Sequence, residues 1–159
     1  MLIKAAQLMC FLAGADRLEL HPDKTRIVDA RQPGGFDFLG YHFERGKCWP
    51  RRKSLDKLKD TLRAKTRRTN GPSLPDILTN LNRTLQGWFG YFQHSSTRTF
   101  VMLDAWLRGR LRSILRRRRG QPGRARGANH QRWPNAFFAE CGLFSLVTAH
   151  ATARQSSRR

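Results

Sequence analysis

Acidic residues are scarce in this chain. Asp and Glu total 11 against 31 Lys and Arg, which leaves a formal net charge of +20 over 159 residues. A compact particle with that charge repels itself unless an anion neutralises it, so nucleic-acid phosphates or anionic lipids are the partners to weigh. Between Asp76 and Glu140 the only carboxylate is Asp104. No obvious pair exists to hold the two cations of a two-metal phosphoryl-transfer site. Long apolar runs are missing as well. None approaches the roughly 18–20 residues that span a bilayer, so nucleic acid is the anion expected and a membrane is not. The opening stretch, Met1 to Asp16, carries its lone charge, Lys4, inside the apolar run, and Gln7 interrupts it. That pattern reads as a helix of a domain rather than a secretory signal.

Cysteine is sparse and scattered, at Cys10, Cys48 and Cys141. With no Cys-x-x-Cys and no neighbouring His pair, neither a zinc site nor a disulfide framework is indicated, and a reducing, cytoplasmic setting is expected. The histidines, His21, His42, His94, His130 and His150, are equally dispersed. None stands in a recognisable frame with a Ser or Cys nucleophile. No catalytic residue, metal or cofactor is expected.

What is present divides near Arg51. Before it, helical spacing over Met1 to Ala15 is followed by short alternating stretches at Leu18–Leu20, Thr25–Asp29 and Phe36–Phe43. A hairpin turn is expected at Glu44-Arg45-Gly46-Lys47. After it come helices. Ser54 reads as the N-cap of the first, with Leu55, Leu58 and Leu62 on one face, and Asn70-Gly71-Pro72 closes it. Ser73 caps the second, with Asp76 in capping-box position, and its apolar stripe runs from Leu74 through Leu81 and Leu85 to Phe92. Gly87 and Gly90 near its end are read as places of close backbone packing. A third helix of about twenty residues follows His94-Ser95-Ser96-Thr97. Gly120 to Arg132 reads as a loop, and Trp133 to His150 as one short helix. The expected fold class is α+β, predominantly α: residues 1–50 as a small strand-bearing unit, 51–150 as a helical bundle, and 151–159 as a flexible tail.

The third helix places Phe100, Leu103, Leu107, Leu111 and Ile114 on one face. At 100° per residue, Arg108, Arg112, Arg116 and Arg119 fall opposite, as a cationic ridge with no balancing Glu. Lys57, Lys59, Arg63, Arg67 and Arg68 form a neighbouring basic face. Arg binds phosphate through paired hydrogen bonds and stacks on bases. Trp49, Trp106 and Trp133 lie beside this charge, either as covers of the core or as stacking platforms. No helix-turn-helix or zinc motif is evident, and broad cationic faces on a bundle suit backbone and shape recognition of structured RNA.

Leu18-Glu19-Leu20-His21-Pro22-Asp23-Lys24-Thr25-Arg26-Ile27 followed by Phe36-Asp37-Phe38-Leu39-Gly40-Tyr41 resembles the end of the palm in group II intron reverse transcriptases. Leu81-Asn82-Arg83-Thr84-Leu85-Gln86-Gly87-Trp88-Phe89-Gly90-Tyr91-Phe92 resembles the maturase-specific region, also called domain X or the thumb. So do Leu103-Asp104-Ala105-Trp106-Leu107-Arg108-Gly109-Arg110-Leu111-Arg112 and, as a closing element, Phe137-Phe138-Ala139-Glu140-Cys141-Gly142-Leu143-Phe144-Ser145-Leu146. The family's Tyr-Ala-Asp-Asp polymerase motif does not occur in the sequence. The resemblance therefore implies a truncated, non-enzymatic protein that binds intron RNA and assists its folding and splicing. It makes Phe38, Leu39, Gly40 and Tyr41 primer-grip-like. The basic residues of the two helical faces become the expected RNA contacts. Alternatives are the C-terminal half of a split reverse transcriptase that needs a separate palm and fingers fragment, or a degenerate mobile-element remnant.

Overall fold

The computed structural model describes residues 34–68, 71–121 and 127–156. The expected N-terminal helix, the strands at 18–20 and 25–29, and the palm-like stretch from Leu18 to Ile27 lie outside the described residues. Within them the fold is α+β and predominantly α, with a three-stranded antiparallel sheet leading into six helices.

The sheet is a meander of β1 (Phe36–Phe38), β2 (Tyr41–Glu44) and β3 (Lys47–Pro50) in sequential order. Phe36 pairs with Phe43 and Phe38 with Tyr41 across β1 and β2, and Tyr41 pairs with Pro50 across β2 and β3. Both connections are two-residue turns, Leu39-Gly40 and Arg45-Gly46, with positive φ at all four residues (46°, 79°, 48° and 73°). Such turns match the right-handed twist of their strands, and glycine adopts the conformation without steric cost. The Arg45-Gly46 turn falls where the sequence places it.

The helices are α1 (Arg52–Lys65), α2 (Leu74–Phe92), α3 (Thr97–Arg118), α4 (Ala128–Arg132), α5 (Asn135–Glu140) and α6 (Leu146–Ser156). Leu58 and Leu62 of α1, Ile77, Leu78, Leu81 and Leu85 of α2, and Phe100, Leu103, Leu107, Leu111 and Ile114 of α3 form one core with Trp133, Phe138 and Leu146. The expected cap of α2 is present: the Asp76 amide donates to Ser73 Oγ at 3.3 Å. The expected cap of α1 is not. That helix starts earlier, with Arg51 at the N-cap, and the Ser54 hydroxyl instead donates to the Gly40 carbonyl at 3.2 Å, fastening helix to sheet. Likewise α1 ends at Lys65, before Asn70, with the Thr66 hydroxyl turned back onto the Leu62 carbonyl.

Two further expectations change. Among the described residues, a side chain added at Gly87 or Gly90 would meet no atom within 4 Å, so neither glycine marks a close backbone approach there. The single helix expected over Trp133–His150 is broken into pieces, with Ala128–Arg132 helical ahead of it. Pro134, which lacks an amide hydrogen, separates α4 from α5. The Leu143 amide donating to the Phe138 carbonyl and that of Gly142 to Ala139 close α5. Helix α6 continues to Ser156, past the Thr152 at which a polar tail was expected.

The sheet docks on the α2–α3 junction. Tyr41 and Tyr91 exchange bonds across it: the Tyr41 hydroxyl donates to the Tyr91 carbonyl at 2.6 Å, and the Tyr91 hydroxyl to the Leu39 carbonyl at 2.7 Å. The Ser96 amide donates to the Cys48 carbonyl at 2.9 Å, and the Cys48 thiol to the His94 carbonyl at 3.0 Å. Burial raises the pKa of both the Tyr41 hydroxyl and the Cys48 thiol above their ordinary values, so both remain protonated donors at neutral pH.

Candidate nucleic-acid interface

Helix α3 is more enclosed than a one-sided amphipathic helix. Asp104, Arg112 and Ser113 are buried together with its apolar residues. One side packs on α1 and α2; the other is covered by the segment from α4 to α6. The ridge expected along Arg108, Arg112, Arg116 and Arg119 therefore does not form as a continuous row. Arg112 is 3% exposed. Its Nε donates to the Trp133 carbonyl at 2.8 Å, its terminal nitrogen to Asn135 Oδ1 at 2.9 Å, and its guanidinium covers the Phe138 ring. Desolvation, and then the charge of Arg108, lower its pKa from the ordinary guanidinium value. Arg112 is removed from the solvent-facing set by this packing: the helical wheel assigns one buried face, but α3 has neighbours on two.

Arg108 is largely enclosed, 3.9 Å from the buried Asp104 carboxylate. Asp104 itself caps α6 from across the bundle. It accepts from the Ser145 hydroxyl (2.9 Å) and from the amides of Leu146 (3.2 Å) and Val147 (3.3 Å). Those amides have no partner within their own helix, and a carboxylate at a helix N-terminus is favoured by the dipole. Asn82 plays the matching role one loop earlier, donating to the Gly142 carbonyl at 2.7 Å and accepting from the Phe144 amide at 2.8 Å. Both polar residues sit inside the resembling motifs, and both hold the closing segment in place.

Exposed cations stand at the β2–β3 turn and the start of α1 (Arg45, Lys47, Arg51, Arg52, Lys53), and two further groups lie along α1 and at the end of α3. Along and just beyond α1, Lys57, Arg63, Arg67 and Arg68 are exposed and Lys59 is partly buried. Arg110, which the sequence reading did not single out, joins them. Its Nε donates to Thr66 Oγ1 at 2.6 Å and its terminal nitrogen to the Thr66 carbonyl at 3.0 Å. Burial, followed by the nearby charges of Arg63 and Arg68, lowers its pKa. The guanidinium groups of Arg63 and Arg110 stand 5.7 and 5.4 Å from the Trp106 ring. One carboxylate, Asp60, pairs with Arg63 here. The signal for Arg110 is its place four residues after Trp106, one turn on along the same face.

The second group closes α3. Arg117, Arg118 and Arg119 are exposed and Arg116 is partly buried. Arg119 and Arg132 lie 5.6 and 5.9 Å from the ring of Trp133, which is a core residue. Arg118 donates to the Pro72 carbonyl. Cations at helix C-termini offset the dipole, which accounts for part of this charge but not for so many exposed guanidiniums.

Of the primer-grip-like residues, Phe38 and Leu39 are 40% and 66% exposed. Gly40 turns beneath them against Ser54 and Phe92, and Tyr41 is held by Tyr91. Among the described residues no three His, Cys, Asp or Glu side chains converge as metal ligands, and no helix is long and apolar enough to cross a membrane.

The fold and its exposed charge define a class: a basic helical bundle with a small sheet docked at one end. Residues 55–133, just under half of the chain, match the model of the group II intron, maturase-specific domain. Over those residues the chain is similar to that family. No curated protein matches the chain.

Proposed function

We propose that this protein binds structured RNA, specifically a group II intron, and assists its folding and splicing without catalysing a reaction of its own. The observation that carries the reading is the set of exposed guanidinium and ammonium groups along and just beyond α1. Arg63 and Arg110 lie over the Trp106 ring and Arg68 is close to Arg110, Lys57 and Arg67 are exposed on the same segment, and Asp60 is the carboxylate paired to Arg63. The family match over residues 55–133 supports a group II intron as that RNA. In this reading residues 1–50 derive from a polymerase palm and 51–150 form the RNA-binding unit. A folded RNA presents phosphates at fixed spacing, and a rigid bundle with outward cations holds two RNA segments closer than their mutual repulsion permits. The intron supplies the chemistry.

The test is splicing of the intron transcript at a magnesium concentration too low for efficient self-splicing. Added protein raises the rate at least about tenfold, a loss of about 1.4 kcal/mol from the barrier. Unchanged splicing at saturating protein contradicts the assisting role.

A further inference from the structure

We propose that the cleft between the β2–β3 turn, α1 and α3 receives one unpaired nucleotide of the bound RNA, its base on the indole-lined floor and its phosphate at the rim. The proposal rests on the RNA-binding reading and specifies which part of the RNA is recognised there.

The cleft has a volume of about 710 Å³, within the range of small-molecule sites, about 300–1,000 Å³. Its apolar surface comes from Trp49 of β3, Leu55 of α1, and Met102 and Trp106 of α3. Met102 is 62% exposed although it stands one residue from the buried Leu103. The rim carries Arg45, Lys47, Lys59 and Arg98 against a single carboxylate, Glu44. Glu44 also accepts from the Gly34 amide at 3.3 Å. An occupant that fits this distribution is flat and apolar at one end and anionic at the other, which describes a nucleotide.

Continuity favours RNA over other anions. Trp106 lines the cleft and also lies against Arg63 and Arg110, so a strand held by those cations passes one side chain from the opening. Uncharged polar side chains in the lining are few, and the Ser96 and Thr99 hydroxyls lie 3.3 Å apart and engage each other. Recognition therefore comes from stacking area and not from base-edge hydrogen bonds. A paired base is sealed inside its stack and does not enter; a bulged one does. Purines are preferred to pyrimidines through their larger faces.

The experiment compares three RNA hairpins of identical stem, binding the full chain. One carries a single bulged adenosine, one is fully paired, and one carries an abasic bulge. The bulged hairpin is expected to bind at least about fivefold tighter than either of the others, the lower bound for one stacked base. Met102→Glu, at an exposed position, is expected to bring that ratio to one by placing a carboxylate on the floor. Equal affinity for the three hairpins overturns the proposal while leaving the RNA-binding reading standing. A preference that survives Met102→Glu also overturns it. No binding of any hairpin removes both. Indole fluorescence that changes with protein concentration alone would assign the cleft to a second copy of the chain and overturn the nucleotide assignment.

Discussion

The guanidinium of Arg112 lies inside the molecule, bonded to the Trp133 carbonyl and Asn135, whereas Arg67 and Arg68 stand in solvent just beyond α1. Composition cannot separate these fates, because every Arg adds the same charge. The separation comes from what packs over α3, and the segment that does so lies some twenty residues downstream. Arg112→Met is therefore expected to cost about 1–3 kcal/mol in denaturant unfolding, since it leaves the buried Trp133 carbonyl without its donor. Arg67→Ala is expected to leave the unfolding midpoint unchanged and to lower the salt slope of RNA binding by about one. A reversed pattern contradicts both assignments. His150 offers a pH test at the same scale. Its ring lies 4.8 Å from that of Phe100 and 3.5 Å from the Thr97 hydroxyl oxygen. Desolvation first, then the charges of Arg154 and His94, lower its pKa below the ordinary value. The unfolded chain then takes up the proton before the folded one does. Stability is retained above the unfolded value of about 6.5 and declines as pH falls from there towards the lowered folded value. His150→Gln is expected to flatten that part of the melting-temperature profile, and an unchanged profile would show that His150 does not contribute.

At the scale of elements, most of the helical frame is legible in the chain. The Ser73 cap and the stripe from Leu74 to Phe92 specify α2 locally, through one side-chain bond and one periodicity. The Arg45-Gly46 turn is legible for the same reason: two residues determine it. What is not legible depends on distant partners. Ser54 has the chemistry of a cap but is recruited by the Gly40 carbonyl, and α6 begins where Asp104 on another helix supplies its cap. The charge of the site was readable and its placement was not, as Arg110 and Arg112 show. The sheet is held to the bundle by the reciprocal Tyr41–Tyr91 bonds, the Cys48 contacts and the Ser54 and Arg51 bonds to the Gly40 carbonyl. Helix α2 instead lies in the core. Amide hydrogen exchange is accordingly expected to be faster in β1–β3 than in α2, and Tyr91→Phe, which removes the bond to the Leu39 carbonyl, should accelerate exchange in the strands alone. Uniform acceleration through α2 would mean that sheet and bundle open as one unit.

For the whole molecule the governing quantity is the charge of +20, mainly Arg, carried on a bundle whose core, among the described residues, holds fourteen buried apolar side chains. Self-repulsion at that charge is relieved when phosphates replace small counterions, and each phosphate neutralised makes binding more sensitive to salt. The direct test is the equilibrium affinity for the intron transcript across a salt series, for the wild-type chain and for a variant with Lys57, Arg67 and Arg68 replaced by Ala. Contact with about six phosphates predicts a loss of roughly three orders of magnitude between 50 and 200 mM salt. The variant should show a log–log slope shallower by about three. Affinity that does not respond to salt, or a variant whose slope equals that of the wild type, would contradict the account.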